Sequence, residues 1–287
     1  MSQAPDSGYF RRLSNRMAEK PPQSGNSSTS SNGATPKRSS GLMTQVNQGG
    51  SSVRSTSKRR SSSQAPQQQS ESEYKARLRR IQAQAKNLSP MNPAKYAPLL
   101  LRALPAVSGR KCLVLDVDET LVHSSYKPTA KYDLHLPCEV NGGVCHIYVS
   151  YRPHLRQFLE FVKNLFEVVI FTASVDIYCN PLMDKLDPDG TLGAQRLFRD
   201  HCSSVNGSYV KDLSLLGRPL DQICIIDNSP VAYLFQPRNA IPIISWFDDP
   251  NDTELTDLMP TLRALAEAPD VYEVLDPYNA RLPVRPA

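Results

Sequence analysis

Residues 111–127 read KCLVLDVDETLVHSSYK, and this stretch decides how the rest of the chain is understood. A short apolar run at 113–115 delivers Asp116 and Asp118 two positions apart, then Thr120, with the apolar pair Leu121 and Val122 behind them. A brief apolar run bounded by polar residues reads as a buried β-strand. Ending such a strand in two carboxylates is costly, because a buried charge must be matched or neutralised. A cationic partner is therefore required.

Working outward, two more apolar runs stop in the same way. Residues 168–171 end in Thr172-Ala173-Ser174, and residues 223–226 end in Asp227-Asn228. A fourth position, Lys211, follows the short apolar pair Tyr209-Val210. Each has a plainer reading alone: a cap or surface loop for the aspartates, a strand-end hydroxyl for Thr172, a solvated charge for Lys211, a turn for Asp227-Asn228. Together they are harder to set aside. In an open parallel sheet the ligand crevice lies beyond the carboxyl ends of the strands, so these groups are expected to converge on one site.

The intervening segments fit such a sheet. Residues 128–150 alternate apolar and polar around Asn141-Gly142-Gly143, a hairpin signature. Pro153 opens a helix with Leu155, Phe158, Leu159 and Val162 on one face, and a second helix is predicted from about 175 to 186. Short strands are predicted at 196–198 and 209–210 and a further one at 241–244. A closing helix carries Leu255, Leu258, Met259, Leu262 and Leu265, begun by Asp252 or Thr253. Alternating strands and helices of these lengths predict an α/β domain: a doubly wound, mainly parallel, Rossmann-like sheet with a small β-hairpin insertion.

The 287 residues divide by composition. Residues 1–95 are rich in Ser, Gln, Asn, Pro and Gly and are predicted to be a disordered, low-complexity tail, because they cannot bury enough apolar surface to offset ordering entropy. Within the tail, Tyr74, Leu78, Ile81, Ala85 and Leu88 form a helical stripe over 71–88, stopped by Pro90, which either docks on the domain or frays. The domain is placed at 96–287 with its core at about 105–268. Residues 1–100 carry 16 Lys and Arg against 4 Asp and Glu, so the overall +5 hides a basic tail on an acidic domain. Lys37-Arg38-Ser39-Ser40 and Lys58-Arg59-Arg60-Ser61-Ser62-Ser63 read either as solvated charge clusters or as a nuclear address or nucleic-acid-attracting arm that kinases could switch.

Six cysteines show no CxxC pair and no zinc spacing, which suits buried thiols in a reducing setting. No apolar run approaches the roughly 18 residues that span a bilayer, and the N-terminus shows no hydrophobic signal core. An intracellular protein of the nucleus or cytoplasm, without a membrane partner, is expected.

The combination resembles the haloacid dehalogenase superfamily, and within it the small CTD phosphatase family, the NLI-interacting-factor-like group. The matching stretches are DVDETLVHSSYKP (116–128), RPH (152–154), FTAS (171–174), LFRD (197–200), YVKDLSLLGR (209–218), IDNSP (226–230) and SWFDDPNDTEL (245–255). The resemblance runs over about residues 105–268 and leaves the tail untouched.

It implies an Asp-based, Mg²⁺-dependent phosphoserine/phosphothreonine protein phosphatase. Asp116 would be the nucleophile and form an aspartyl-phosphate, with Mg²⁺ and Lys211 offsetting the repulsion between phosphate and carboxylate. Mg²⁺ prefers octahedral oxygen ligands and keeps several waters. Asp116, the backbone carbonyl of Asp118 and Asn228 would supply the protein's share, with Asp227 supporting the metal shell or Lys211. Asp118 would be the general acid and then the base, which requires a pKa raised from near 3.9 and a side chain turned from the metal. Thr172, more than Ser174, would donate to a phosphoryl oxygen.

The spacing between motifs leaves no room for a full cap domain, so the site should stay open to a protein substrate. Tyr126, Cys138, Val140, Ile147 and Val175 align with the family pocket that reads a substrate proline; Cys138 stands here for an aliphatic residue and Tyr126 for Phe. Arg199 either contacts substrate or pairs with Asp200 or Glu167. The substrate would be a Ser/Thr-Pro phosphoprotein, such as the RNA polymerase II C-terminal domain, and the enzyme a monomer. No Cys is followed six positions later by Arg, and no GxSxG elbow occurs, so the cysteine-phosphatase and serine-hydrolase schemes do not apply. A binding protein on the same fold, or a nuclear-envelope lipid-regulating phosphatase, are the alternatives.

Overall fold

The computed structural model describes residues 70–128, 131–140, 143–192 and 195–282. The basic clusters at 37–40 and 58–63 lie outside them, as does the rest of the chain before Ser70.

Strand β1 (Cys112–Leu115) has all four residues buried and lies at the centre of a five-stranded sheet. Parallel to it on one side run β5 (Glu167–Phe171) and then β6 (Gln195–Leu197). On the other side run β9 (Ile223–Asp227) and then β10 (Ala240–Pro242), also parallel. The chain thus winds outward from β1 in one direction and then in the other, the doubly wound order expected. Leu115 pairs with Ile170 on one flank and Ile226 on the other, so the carboxyl ends of β1, β5 and β9 are level. That register brings Asp116, Thr172 and Asp227 together.

Because side chains alternate along a strand, the sheet has two apolar faces. Leu113, Leu115, Val168, Ile170, Cys224 and Ile226 belong to the larger core. There they meet α2 (Leu155–Leu165), α3 (Asp176–Leu186), α4 (Glu254–Glu267) and α5 (Tyr272–Arg281). Helix α2 buries Leu155, Phe158, Leu159 and Val162, the one-sided spacing read from sequence. The opposite face, with Cys112, Val114, Val169, Phe171, Ile223 and Ile225, is covered by Leu100, Leu213, Leu216 and Tyr233 from coil and short 3₁₀ turns.

The insertion after β1 is a three-stranded antiparallel sheet. Strand β4 (Gly143–Tyr151) pairs with β2 (Val122–Ser125) and with β3 (Leu134–Val140). No cap domain occurs among the described residues. Strand β8 (Ser208–Val210), which leads into Lys211, pairs with β7 (Ser203–Val205) in a separate antiparallel ribbon. Lys211 therefore enters the site from beside the parallel sheet, and only three of the four polar ends belong to it. The strand expected at 241–244 stops at Pro242, and α5 carries no clear sequence signal.

The tail boundary also moves. Helix α1 (Glu71–Ala83) opens with a capping box between Ser70 and Glu73 and packs against α5. Arg77 donates to the carbonyls of Leu282 and Asn279, and Arg281 lies over the Tyr74 ring. The helix ends at Ala83 instead of reaching residue 88, because the backbone beyond it turns to other partners. Leu88 N–H donates to the Phe235 carbonyl at 2.7 Å, and Gln236 Nε2 donates to Asn87 Oδ1 at 2.8 Å. The described body thus begins at Ser70, and residues 70–95 lie on the domain.

Candidate active site

At the end of β1, the loop 116–121 folds back on itself. Leu121 N–H donates to the Val117 carbonyl at 2.9 Å, and Glu119, with φ 56, donates its N–H to the Val122 carbonyl at 2.7 Å. A positive φ is unusual for a side chain as large as Glu and marks a backbone held by its surroundings. Those surroundings include fully buried Arg152. Its Nη1 donates to the Thr120 carbonyl at 3.0 Å, while Nε and Nη2 bind both oxygens of Asp252 at 2.7 and 2.8 Å. The RPH and DDPNDTEL stretches, far apart in sequence, thereby clamp loop 116–121. Trp246 N–H adds a bond to the Glu119 carbonyl at 2.8 Å.

Asp116 and Asp118 are both buried, yet their partners do not overlap. Lys211 Nζ lies 2.6 Å from Asp116 Oδ1 and 2.6 Å from Asp227 Oδ2. Thr120 Oγ1 donates to Asp116 Oδ2 at 2.8 Å and lies 3.3 Å from Asn228 Oδ1. Burial opposes the Lys211 charge, but the two carboxylates more than offset it and hold its pKa above the ordinary lysine value. Asp227 is pushed up by burial and by Asp116, against the pull of Lys211.

Asp118 is held from the opposite flank by hydroxyls. Ser174 Oγ donates to Oδ2 at 2.7 Å, Tyr178 OH donates to Oδ1 at 2.9 Å, and Thr172 Oγ1 makes a longer contact to Oδ2 at 3.4 Å. Burial pushes the Asp118 pKa up to about 6; the Ser174 hydrogen bond works against that rise, and Asp116 and Glu119 add to it.

Sequence reasoning missed Tyr178, which donates from the first turn of α3 and also meets Ser124 Oγ at 2.5 Å. Its apolar spacing on the helix disguised it as core. Ser174 is more tightly engaged than Thr172, whose hydroxyl also accepts the Ser174 N–H at 2.9 Å.

The donor set can be tested against a divalent cation. Asp116, Asp118, Glu119 and Asp227 line one pocket with Asn228, and Lys211 is its only cationic side chain. Glu119 Oε2 is buried without a hydrogen-bond partner. Among the described residues no group of three or more His, Cys, Asp or Glu side chains forms a ready cage. A set of one or two carboxylates completed by amide or carbonyl oxygens and water suits Mg²⁺ better than a soft metal. The residues fit the group.

The apolar positions named for substrate divide. Tyr126 is exposed and Val175 half-buried, whereas Cys138 and Ile147 are buried in the larger core. The side chain of Val140 lies outside the described residues. Burial raises the Tyr126 pKa, with Cys145 and Cys138 adding and Arg199 opposing, so these groups share one neighbourhood. Arg199 Nε donates to the Ala173 carbonyl at 2.7 Å, and its guanidinium stacks over Tyr209. Of the alternatives for Arg199, the ion pair with Glu167 is not formed: Arg218 occupies both oxygens of that carboxylate at 2.7 and 2.8 Å.

A level row of carboxylates and hydroxyls thus stands at the carboxyl ends of the parallel strands around one buried lysine. Residues 111–272 match the model of the NLI interacting factor-like phosphatase family, and the chain belongs to that family. The human CTD small phosphatase-like protein is 50% identical over 186 residues, 65% of this chain and 66% of that protein. The human carboxy-terminal domain RNA polymerase II polypeptide A small phosphatase 1 is 49% identical over 183 residues, 64% of this chain and 69% of its own length. A probable C-terminal domain small phosphatase of Dictyostelium discoideum is 50% identical over 179 residues, 62% and 58% of the two chains. The match thus spans about two thirds of the first relative's length. Among the described residues, no helix is long and apolar enough to cross a membrane.

Proposed function

We propose that this chain is a Mg²⁺-dependent phosphoserine/phosphothreonine protein phosphatase that works through an aspartyl-phosphate on Asp116. The observation that carries the reading is the unequal treatment of two carboxylates two residues apart: Asp116 is paired with the Lys211 ammonium, and Asp118 is held by hydroxyls with its pKa raised. Pairs of titratable groups pushed apart by their environments mark acid and base assignments.

In this scheme the Asp116 carboxylate attacks phosphorus as the bond to the serine or threonine oxygen breaks. Asp118 gives its proton to the departing oxygen. The resulting Asp118 carboxylate then takes a proton from water, which attacks the same phosphorus and returns Asp116 and inorganic phosphate. Lys211 stays charged throughout and steadies Asp116 and the phosphoryl oxygens. Thr172 exchanges its long contact with Asp118 for a phosphoryl oxygen. Mg²⁺, held by Asp116, the Asp118 carbonyl and Asn228 with Asp227 behind, would offset the repulsion between phosphate and carboxylate.

An open site without a cap suits a segment of a phosphoprotein. The name of one relative points to the RNA polymerase II C-terminal domain as a substrate, and the proposal takes in another Ser/Thr-Pro phosphoprotein of the nucleus or cytoplasm, met by a monomeric enzyme. The full chain with Mg²⁺ should hydrolyse an aryl phosphate and phosphoserine-proline peptides, and chelation of the metal or Asp116→Asn should abolish both activities. Hydrolysis untouched by Asp116→Asn, or none with Mg²⁺ present, would refute the scheme. Equal rates on peptides with and without the proline would remove the Ser/Thr-Pro preference alone.

A further inference from the structure

Two cysteines on the hairpin stand directly opposite each other. Cys138 on β3 pairs with Cys145 on β4, one step from the pair Leu136 and Ile147 that faces the same core. Opposed residues in an antiparallel pair place their side chains on one face with Cα atoms about 4.5–5.5 Å apart. Disulfides span Cα separations of about 4.4–6.8 Å. The backbone therefore already satisfies the main requirement for a bond between them. All six cysteines are free thiols in the structure, and the other four have no cross-strand cysteine partner in the register.

The two members differ in access. Cys138 is buried at 3% exposure, whereas Cys145 is half-buried and can meet a small oxidant. The exposed Tyr126 phenol has Cys138, Cys145 and Asp118 within electrostatic reach, and β2, which pairs with β4, meets the Asp118 flank through the 2.5 Å contact of Ser124 Oγ with the Tyr178 hydroxyl. The sheet that carries the pair is thus tied to the side of the site that holds Asp118.

We propose that Cys138 and Cys145 form a reversible disulfide that staples this hairpin and narrows peptide access to the site. Oxidation proceeds by exchange with a small disulfide such as oxidised glutathione. The Cys145 thiolate attacks one glutathione sulfur, the glutathione S–S bond breaks, and one reduced glutathione leaves. Cys138 then attacks Cys145 Sγ, releasing the second reduced glutathione, so two protein thiols are oxidised and one glutathione disulfide is reduced. Preformed pairing of the strands holds Cys138 at a high effective concentration, which drives the second step.

The bond does not depend on the reading of the chain as a phosphatase; only its effect on peptide turnover does. The test treats the full chain with graded mixtures of reduced and oxidised glutathione, alkylates it, and maps fragment 132–156, which trypsin leaves intact because Arg152 precedes Pro153. The fragment should lose two hydrogens and resist alkylation at both cysteines, and reduction should reverse this. In Cys138→Ser, Cys145 should carry glutathione as a stable mixed disulfide. Persistent alkylation of both cysteines, or a stable mixed disulfide on Cys145 of the unaltered chain, would overturn the proposal. With the pair oxidised, kcat/KM on a phosphoserine peptide should fall at least about threefold while aryl phosphate hydrolysis is unchanged. Equal peptide kcat/KM in the two states would overturn the link to substrate access. Absence of aryl phosphate hydrolysis in both states would instead count against the phosphatase reading and leave the disulfide map to stand by itself.

Discussion

The two flanks of β1 do different work at the same level of the sheet. On the β9 flank Asp116 accepts from the Lys211 ammonium and the Thr120 hydroxyl, which in turn reach Asp227 and Asn228. On the β5 flank Asp118 meets only the hydroxyls of Thr172, Ser174 and Tyr178. An ammonium compensates a carboxylate's charge, whereas neutral hydroxyls stabilise it only in part, so burial dominates on the second flank. One strand end therefore holds a lysine-paired carboxylate and a carboxyl of raised pKa side by side. A central strand with unlike neighbours is what makes this separation possible.

Removing the proposed nucleophile breaks the comparison outright. Asp116→Asn should lower kcat on an aryl phosphate by at least about 10³-fold, read by steady-state kinetics. Lys211→Met should cost about 10²–10³-fold in rate and also destabilise the fold, because Asp116 and Asp227 would be left buried side by side. In a Lys211→Met, Asp227→Asn double variant, thermal unfolding should recover part of the lost Tm while the rate stays low. Failure of the second change to raise Tm would mean that the lysine is not needed for charge compensation.

On the hydroxyl flank, Asp118→Asn should slow a phosphoserine peptide by about 10²–10⁴-fold and an aryl phosphate less, because the better leaving group needs less help from the acid. The same change should stabilise the protein. A carboxyl with a folded pKa near 6 and an unfolded value of 3.8 gives a contribution fully present below 3.8 and lost as pH rises through 6. At neutral pH this amounts to a penalty on the order of 3 kcal/mol, which Asn does not carry. Tm of the metal-free chain should therefore fall from pH 4 to pH 7 less in Asp118→Asn than in the unaltered chain.

The smallest effect sharpens the comparison most finely. Ser174→Ala removes a hydrogen bond that lowers the Asp118 pKa, so that pKa should rise. The acid must be protonated for the first step. The descending limb of kcat/KM against pH should then shift to higher pH, by less than about one unit. A shift to lower pH would contradict the assigned role of this hydroxyl.

Much of this was legible in residues 111–127 and in the other strand ends, because buried strands with polar termini are unusual enough to be read together. The central sheet follows from apolar runs such as 168–171 and 223–226, and the hairpin from alternation around Asn141-Gly142-Gly143. Lys211 is legible as a fourth polar strand end, but three-residue strands carry too little pattern to show that β8 pairs with β7. Tyr178 was hidden because an aromatic in an apolar helical stripe looks the same whether its hydroxyl is used or not. Arg152 and Asp252 were visible as family stretches, yet their buried bidentate pair depends on a contact across 100 residues. The docking of α1 was left open by its weak stripe, and its polar links to Asn279 and Leu282 have no periodicity to read.

The most direct test is a rapid acid quench of Asp118→Asn mixed with Mg²⁺ and excess aryl phosphate, followed by peptide mass mapping. Transfer to a good leaving group should still proceed, while hydrolysis of the adduct, now without its base, should lag. The account predicts a burst of aryl alcohol approaching one equivalent per enzyme and a phosphoryl group on Asp116. A burst-free reaction with no phosphoryl group on Asp116 would contradict it.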